Sequence, residues 1–114
     1  MSSEINQFQM TVLQDFFKIQ MVRAYGAAWT GEVKSVVERK FTQEDRFKHN
    51  YQGVYDVLRN EGVENLNEKK MDITCLTSLI LHDFLNECVV GQVRDVFKKH
   101  ISTIRTDKNK LASH

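Results

Sequence analysis

Proline is absent from this 114-residue sequence, and glycine occurs only five times. Nothing therefore removes a backbone donor or clashes with a preceding helical turn, so long helices are favoured. Cysteine is scarce too: Cys75 and Cys88 are the only two. A disulfide framework needs more cysteines in a loop-rich chain, and thiolate zinc sites need close pairs such as C-x-x-C. Both thiols sit in apolar surroundings and are expected to be buried and reduced, which suits a cytoplasmic protein. No apolar run approaches the ~20 residues of a membrane span, and the first nine residues lack the basic-then-apolar pattern of a secretory signal. Neither sign of charge dominates, with 16 basic against 15 acidic side chains, so only a local patch can argue for nucleic acid.

What remains is 41% hydrophobic and 27% charged, the balance of a folded domain. The apolar residues recur at helical spacing. A first helix is predicted over 4–25, with Ile5, Phe8, Val12, Phe16 and Ile19 along one face and Leu13, Phe17 and Met21 widening it. Gly26 is its expected stop. A short second helix is predicted over 32–41, pointing Val33, Val36, Val37 and Phe41 inward. Trp29 lies just before it, as a plug for the bundle end. Thr42 with Asp45 resembles a capping pair for a third helix carrying Phe47, Tyr51, Val54 and Leu58, with Tyr55 beside them. Residues 60–70 are polar and read as the main loop. Asp72 is placed to cap a fourth helix with Ile73, Leu76, Leu79, Ile80, Phe84 and Leu85 inward. Gly91 is a candidate break before a last amphipathic stretch, Val93, Phe97, Ile101 and Ile104, extending towards Leu111. Short loops make neighbours antiparallel. The expectation is an all-α, antiparallel up-and-down bundle of four to five helices, forming one domain over 1–114.

The common enzyme signatures are missing: no phosphate-binding glycine loop, no H-E-x-x-H, no G-x-S-x-G. His49, His82, His100 and His114 are scattered. His82, within Leu81-His82-Asp83-Phe84, reads as structural, and His49 as solvated. Inward Glu-x-x-His pairs, which a metal-binding bundle needs, are absent, so neither metal nor cofactor is expected. The last helix is more informative. At ~100° per residue, Arg94, Lys98, Arg105 and Asn109 gather on one side with Ser102 beside them. Such a stripe suits phosphate, and so RNA; an ordinary solvated face has the same spacing.

The tail 104–114 reads I-R-T-D-K-N-K-L-A-S-H. It resembles the signature of the HEPN superfamily, an arginine and a polar residue (often asparagine) followed a few residues later by a histidine. Tyr25-Gly26-Ala27-Ala28-Trp29 resembles a segment found after the first helix in one subgroup. The resemblance implies a four-helix bundle that commonly dimerises. In active members paired motifs cleave RNA without metal, often in bacterial toxin or antiviral systems; other members only pair or bind RNA. Carried onto this sequence, it implies His114 as the proton-transfer residue, with Asn109 and either Lys108 or Arg105 handling phosphate. Lys108 stands where arginine is usual, and Arg105 lies one turn too early. Arg94 to His100 also satisfies the spacing, with Asp95 as the polar residue, and ranks second because it falls inside the helix. Six residues turn a helix by ~600°, leaving those two side chains ~120° apart, so either pair calls for a second protomer. In the family a helix continues past the histidine, so the chain is expected to be an excised N-terminal domain or a natural truncation. The expected partners are a second copy of the chain, through Phe16, Phe17, Met21 and the last helix, and RNA, with further domains or a partner protein beyond it. The alternative function is a non-catalytic helical module that dimerises or recruits a partner through the first helix.

Overall fold

The computed structural model describes residues 2–43, 48–89 and 93–113, with side chains over 7–43, 48–89 and 93–106. Helix α1 spans Ser2–Tyr25, α2 Trp29–Gln43, α3 Lys48–Asn60, α4 Ile73–Ser78, α5 Leu85–Cys88 and α6 Arg94–Ser113. Among the described residues there is no strand, and the expected all-α fold is what the chain adopts. Helix α1 ends at Gly26, where φ is +67°, a backbone conformation glycine tolerates without strain. One 3₁₀ turn, Gly26–Ala28, comes next. Trp29 then opens α2 as its first residue; it is buried and meets Phe17 edge-on at 6.3 Å. Lys34 shares a surface depression with Leu58 and Arg59, and Thr42 shares another with Lys48, so α2 and α3 run antiparallel. Gly62, at φ +90°, ends α3 with its N–H bonded to the Val57 carbonyl.

The core is centred on α4. Every residue from Cys75 to Ile80 is buried, because α1, α3 and α6 all pack around this segment. As predicted, Asp72 caps it, its Oδ1 accepting from the Cys75 N–H at 2.8 Å; such a cap contributes about 1 kcal/mol. The polar connection before it is not a free loop. Leu66 and Met71 are buried, and Gln14 of α1 donates its side-chain amide to the Lys69 and Met71 carbonyls. Glu68, also buried, lies 3.6 Å from the Lys18 ammonium.

Several expectations require correction. Thr42 does not start α3: it lies inside α2, and its hydroxyl donates to the Glu38 carbonyl one turn back. The buried face of α3 is Tyr51, Val54 and Val57, with Leu58 at its margin. The fourth helix is not continuous, since α4 runs into a π-turn, Leu79–Asp83, and breaks at Phe84. Helix α1 buries Leu13, Phe17 and Met21, spaced one turn apart, rather than the stripe of Phe8, Val12 and Ile19. Those three are 70%, 50% and 62% exposed, and Val93 is exposed as well. Phe17 and Met21 are therefore fully used inside the chain and cannot also meet a second copy. Ile5, Asp45, Phe47 and Gly91 lie outside the described side chains or residues.

Both thiols are buried, and burial pushes them up, Cys75 well beyond the usual range and Cys88 to about 12. Reagents that attack thiolates are expected to label neither cysteine in the native protein and both in about 6 M guanidinium (an ordinary denaturing concentration). Rapid stoichiometric labelling of native protein by a disulfide reagent, monitored by absorbance, would contradict this packing.

Candidate phosphate-facing site

Helix α6 carries unlike surfaces on its two sides. Ile101 and Ile104 are buried and Phe97 is half-buried, so these residues define its inner line. At ~100° per residue, Arg94, Lys98 and Arg105 fall within ~40° of one another beside that line, and His100 falls on its opposite flank. His100 accordingly joins Phe8, Val12, Phe16, Phe97, Ile101 and Ile104 around an apolar groove of about 310 Å³ between α1 and α6. On the basic side, only Arg105 reaches a neighbouring helix, α3. Arg105 is half-buried and donates from Nη2 to Oδ1 of Asn50 at 3.0 Å. Lys98 and Arg94 are exposed. Among the described residues, no carboxylate pairs with Arg94, Lys98 or Arg105.

The π-turn shapes the other wall. Phe84 donates its N–H to the Leu79 carbonyl at 2.7 Å, five residues back. One extra residue in a turn re-aims the side chains after it by roughly a helical step. Asp83 thereby reaches the inside, with its side chain only 3% exposed. Oδ2 accepts from the Tyr51 hydroxyl at 2.6 Å, and Oδ1 lies 3.1 Å from the Lys40 ammonium. Burial, then the hydrogen bond to Asp83, pushes the Tyr51 hydroxyl far above its ordinary pKa, so it stays a donor. His82, beside Asp83, is turned to solvent. Its pKa is lowered, chiefly by desolvation; Asp83 opposes this, while Arg105, Lys40 and Lys98 add to it. Desolvation and these cations thus favour the neutral imidazole of His82.

The predicted site residues divide accordingly. Arg94, Lys98 and Arg105 do share a side of α6. Arg94 and His100 do not meet within one chain, since they flank the helix differently. Helix α6 includes positions 108 and 109, but the side chains of Lys108 and Asn109, and all of His114, lie outside the described residues. His82, whose place in the sequence marks it as structural, is instead exposed. Asn50 carries no signal in the sequence at all, because its role depends on a partner 55 residues away. Among the described residues, no group of three metal-ligating side chains gathers, and no helix is long and apolar enough to cross a membrane.

Comparison with family models, curated proteins and solved structures finds no match for this chain.

The Asp83 network has a measurable energetic role. Tyr51→Phe keeps the ring but removes the donor, leaving one carboxylate oxygen unsatisfied inside the protein. Urea unfolding is expected to show a loss of about 1–3 kcal/mol. An unchanged midpoint would mean that the hydroxyl contributes nothing to Asp83.

Proposed function

We propose that this chain is an RNA-directed helical domain of the HEPN type, either a metal-independent endoribonuclease or a degenerate relative that binds RNA without cutting it. The observation that carries this reading is the basic side of α6. Arg94, Lys98 and Arg105 lie along one side, no described carboxylate neutralises them, and Asn50 holds Arg105 in place. Spaced over about three turns, such cations match successive phosphates better than a compact anion. The tail motif supplies the catalytic half of the proposal: His114 as proton-transfer residue, with Asn109 and Lys108 or Arg105 on the phosphate. The setting, a toxin or antiviral system in the cytoplasm, rests on the family resemblance.

Unstructured RNA incubated with the protein in excess chelator is expected to be cut slowly, leaving 2′,3′-cyclic phosphate ends. His114→Ala should abolish cutting and His100→Ala should not. Lys108→Arg should raise the rate about fivefold, as a bidentate contact adds ~1 kcal/mol over a point charge. Binding without cutting by either form would leave only the degenerate RNA-binding module. Neither binding nor cutting would remove the RNA reading.

A second reading, a dimerisation or partner-recruitment module, is favoured by a different observation. Phe8, Val12, Ile19 and Val22 form an exposed apolar line along α1, on the side away from Leu13, Phe17 and Met21. Two apolar faces on one helix exceed what a small bundle covers by itself, and closed two-fold pairing is the common solution. Sedimentation is expected to show a dimer at roughly tens of micromolar, which Ile19→Lys converts to monomer without altering the circular dichroism. A clean wild-type monomer at that concentration would rule out self-pairing through this face.

A further inference from the structure

The antiparallel pair α2 and α3 builds a groove away from the core. At ~100° per residue, Lys34, Glu38 and Phe41 fall within ~60° of one another on α2, and Tyr55 and Arg59 within ~40° on α3. The rings of Phe41 and Tyr55 stack across the groove, with centroids 4.3 Å apart and planes inclined by 12°. Tyr55 and Glu38 line two adjoining depressions. One, of about 220 Å³, is completed by Lys34, Leu58 and Arg59. The other, of about 480 Å³, is completed by Phe41, Thr42 and Lys48. Both rings are half-buried, whereas Glu38 and Arg59 are exposed. Among the described residues, Lys34, Glu38 and Arg59 form no ion pair, and no cation covers the Tyr55 ring. The smaller depression therefore presents an aromatic ring, an apolar wall, a carboxylate and two cations together. A bare phosphate would meet Glu38 as well as the cations, and an apolar ligand would have to desolvate all three charges. A nucleotide carries a complement to each: a flat base for the ring, an exocyclic amine for the carboxylate, and a phosphate for the ammonium and guanidinium. About 150 Å³ suffices for one benzene-sized ring, so the smaller depression admits a single-ring base.

We propose that the α2–α3 groove binds a cytidine nucleotide, free or within single-stranded RNA, which share the same chemistry. Tyr55, backed by Phe41, is the stacking platform; Glu38 accepts from the base amine; Lys34 and Arg59 hold the phosphate. The Phe41–Tyr55 stack orders the platform before any ligand arrives, so little side-chain freedom is lost on binding. Uracil presents a carbonyl oxygen where cytosine has its amine. That oxygen would face the carboxylate of Glu38, so the site selects cytidine over uridine. The site rests on the RNA reading only in taking a nucleotide as its ligand. It is separate from the basic side of α6, because Asn50, which meets Arg105, lies ~140° from Tyr55 around α3.

The test uses the whole chain with cytidine 5′-monophosphate, uridine 5′-monophosphate, and fluorescein-labelled oligocytidylate and oligouridylate. Ring proton resonances of Tyr55, assigned by their loss in Tyr55→Phe, are expected to shift on adding the cytidine probes. Tyr55→Phe should bind as wild type does. Tyr55→Ala should weaken binding about tenfold, the equivalent of roughly 1.4 kcal/mol. Because that variant also unstacks Phe41, substitutions at two exposed positions keep the site testable with the fold intact. Arg59→Gln should weaken binding severalfold. Glu38→Gln should bind the two monophosphates equally, since an amide both accepts from cytosine and donates to uracil. Arg39→Gln, on another side of α2, should do neither. If the oligonucleotides bind wild type and all these variants alike, the site is overturned while the RNA reading survives on α6. If cytidine monophosphate shifts Tyr55 and outbinds its uridine counterpart but neither oligonucleotide binds, the site stands and the RNA reading falls. Equal binding of the two monophosphates by wild type, or no movement of Tyr55 with any probe, overturns the site.

Discussion

The carboxylate of Asp83 is held inside the protein by a tyrosine hydroxyl from α3 and a lysine ammonium from α2, and three helices are positioned by that arrangement. A buried charge survives only with partners, and removing one partner costs far more than the pair contributes to stability. The π-turn is what brings Asp83 there. A regular helix over 79–83 would aim the side chain about one step away, towards solvent. The same extra residue ends the helix at Phe84, whose ring then meets both Phe17 and Tyr25 edge-on. One local departure from α-helical geometry thus sets the buried ion pair, the packing of the N-terminal helix and the exposure of His82.

Much of this is legible in the sequence where the signal is local. The cap at Asp72, the stop at Gly26 and the burial of Trp29 each depend on neighbours within a few residues, and each reads directly from residue type. The apolar stripe of α1 is legible as a stripe but not as a direction. Phe8, Val12 and Ile19 repeat at helical spacing as faithfully as Leu13, Phe17 and Met21 do, and periodicity has no means of choosing which face meets the core. That choice is made by α4, which packs against the second set. Thr42 illustrates the opposite error. A threonine before an acidic residue resembles a cap, but its hydroxyl finds the Glu38 carbonyl inside a helix that simply continues.

The candidate site residues are less legible than the fold, for a physical reason. Arg94, Lys98 and Arg105 share one helix, so their alignment comes directly from ~100° per residue. Asn50 joins them only through tertiary packing, across a separation no local pattern encodes. The π-turn is equally silent, since Leu79-Ile80-Leu81-His82-Asp83 contains no proline or glycine to announce it. An apolar flank on His82 suggests burial, yet the extra residue turns the imidazole outward while Asp83 goes in.

The two sides of α6 bear on how the two functional readings relate. Its basic side reaches α3 through Arg105, and its other flank, with His100, borders the apolar groove and α1. The exposed line of Phe8, Val12, Ile19 and Val22 lies on that second side of the molecule. A second copy seated on α1 would cover the line and approach the groove, leaving Arg94 and Lys98 exposed on the other flank of α6. Pairing through α1 and RNA binding on the basic side of α6, as proposed, would therefore not compete for surface. Arg94 and His100 of one chain, by contrast, face these separate regions, so a catalytic role for that pair requires its two halves to come from different protomers.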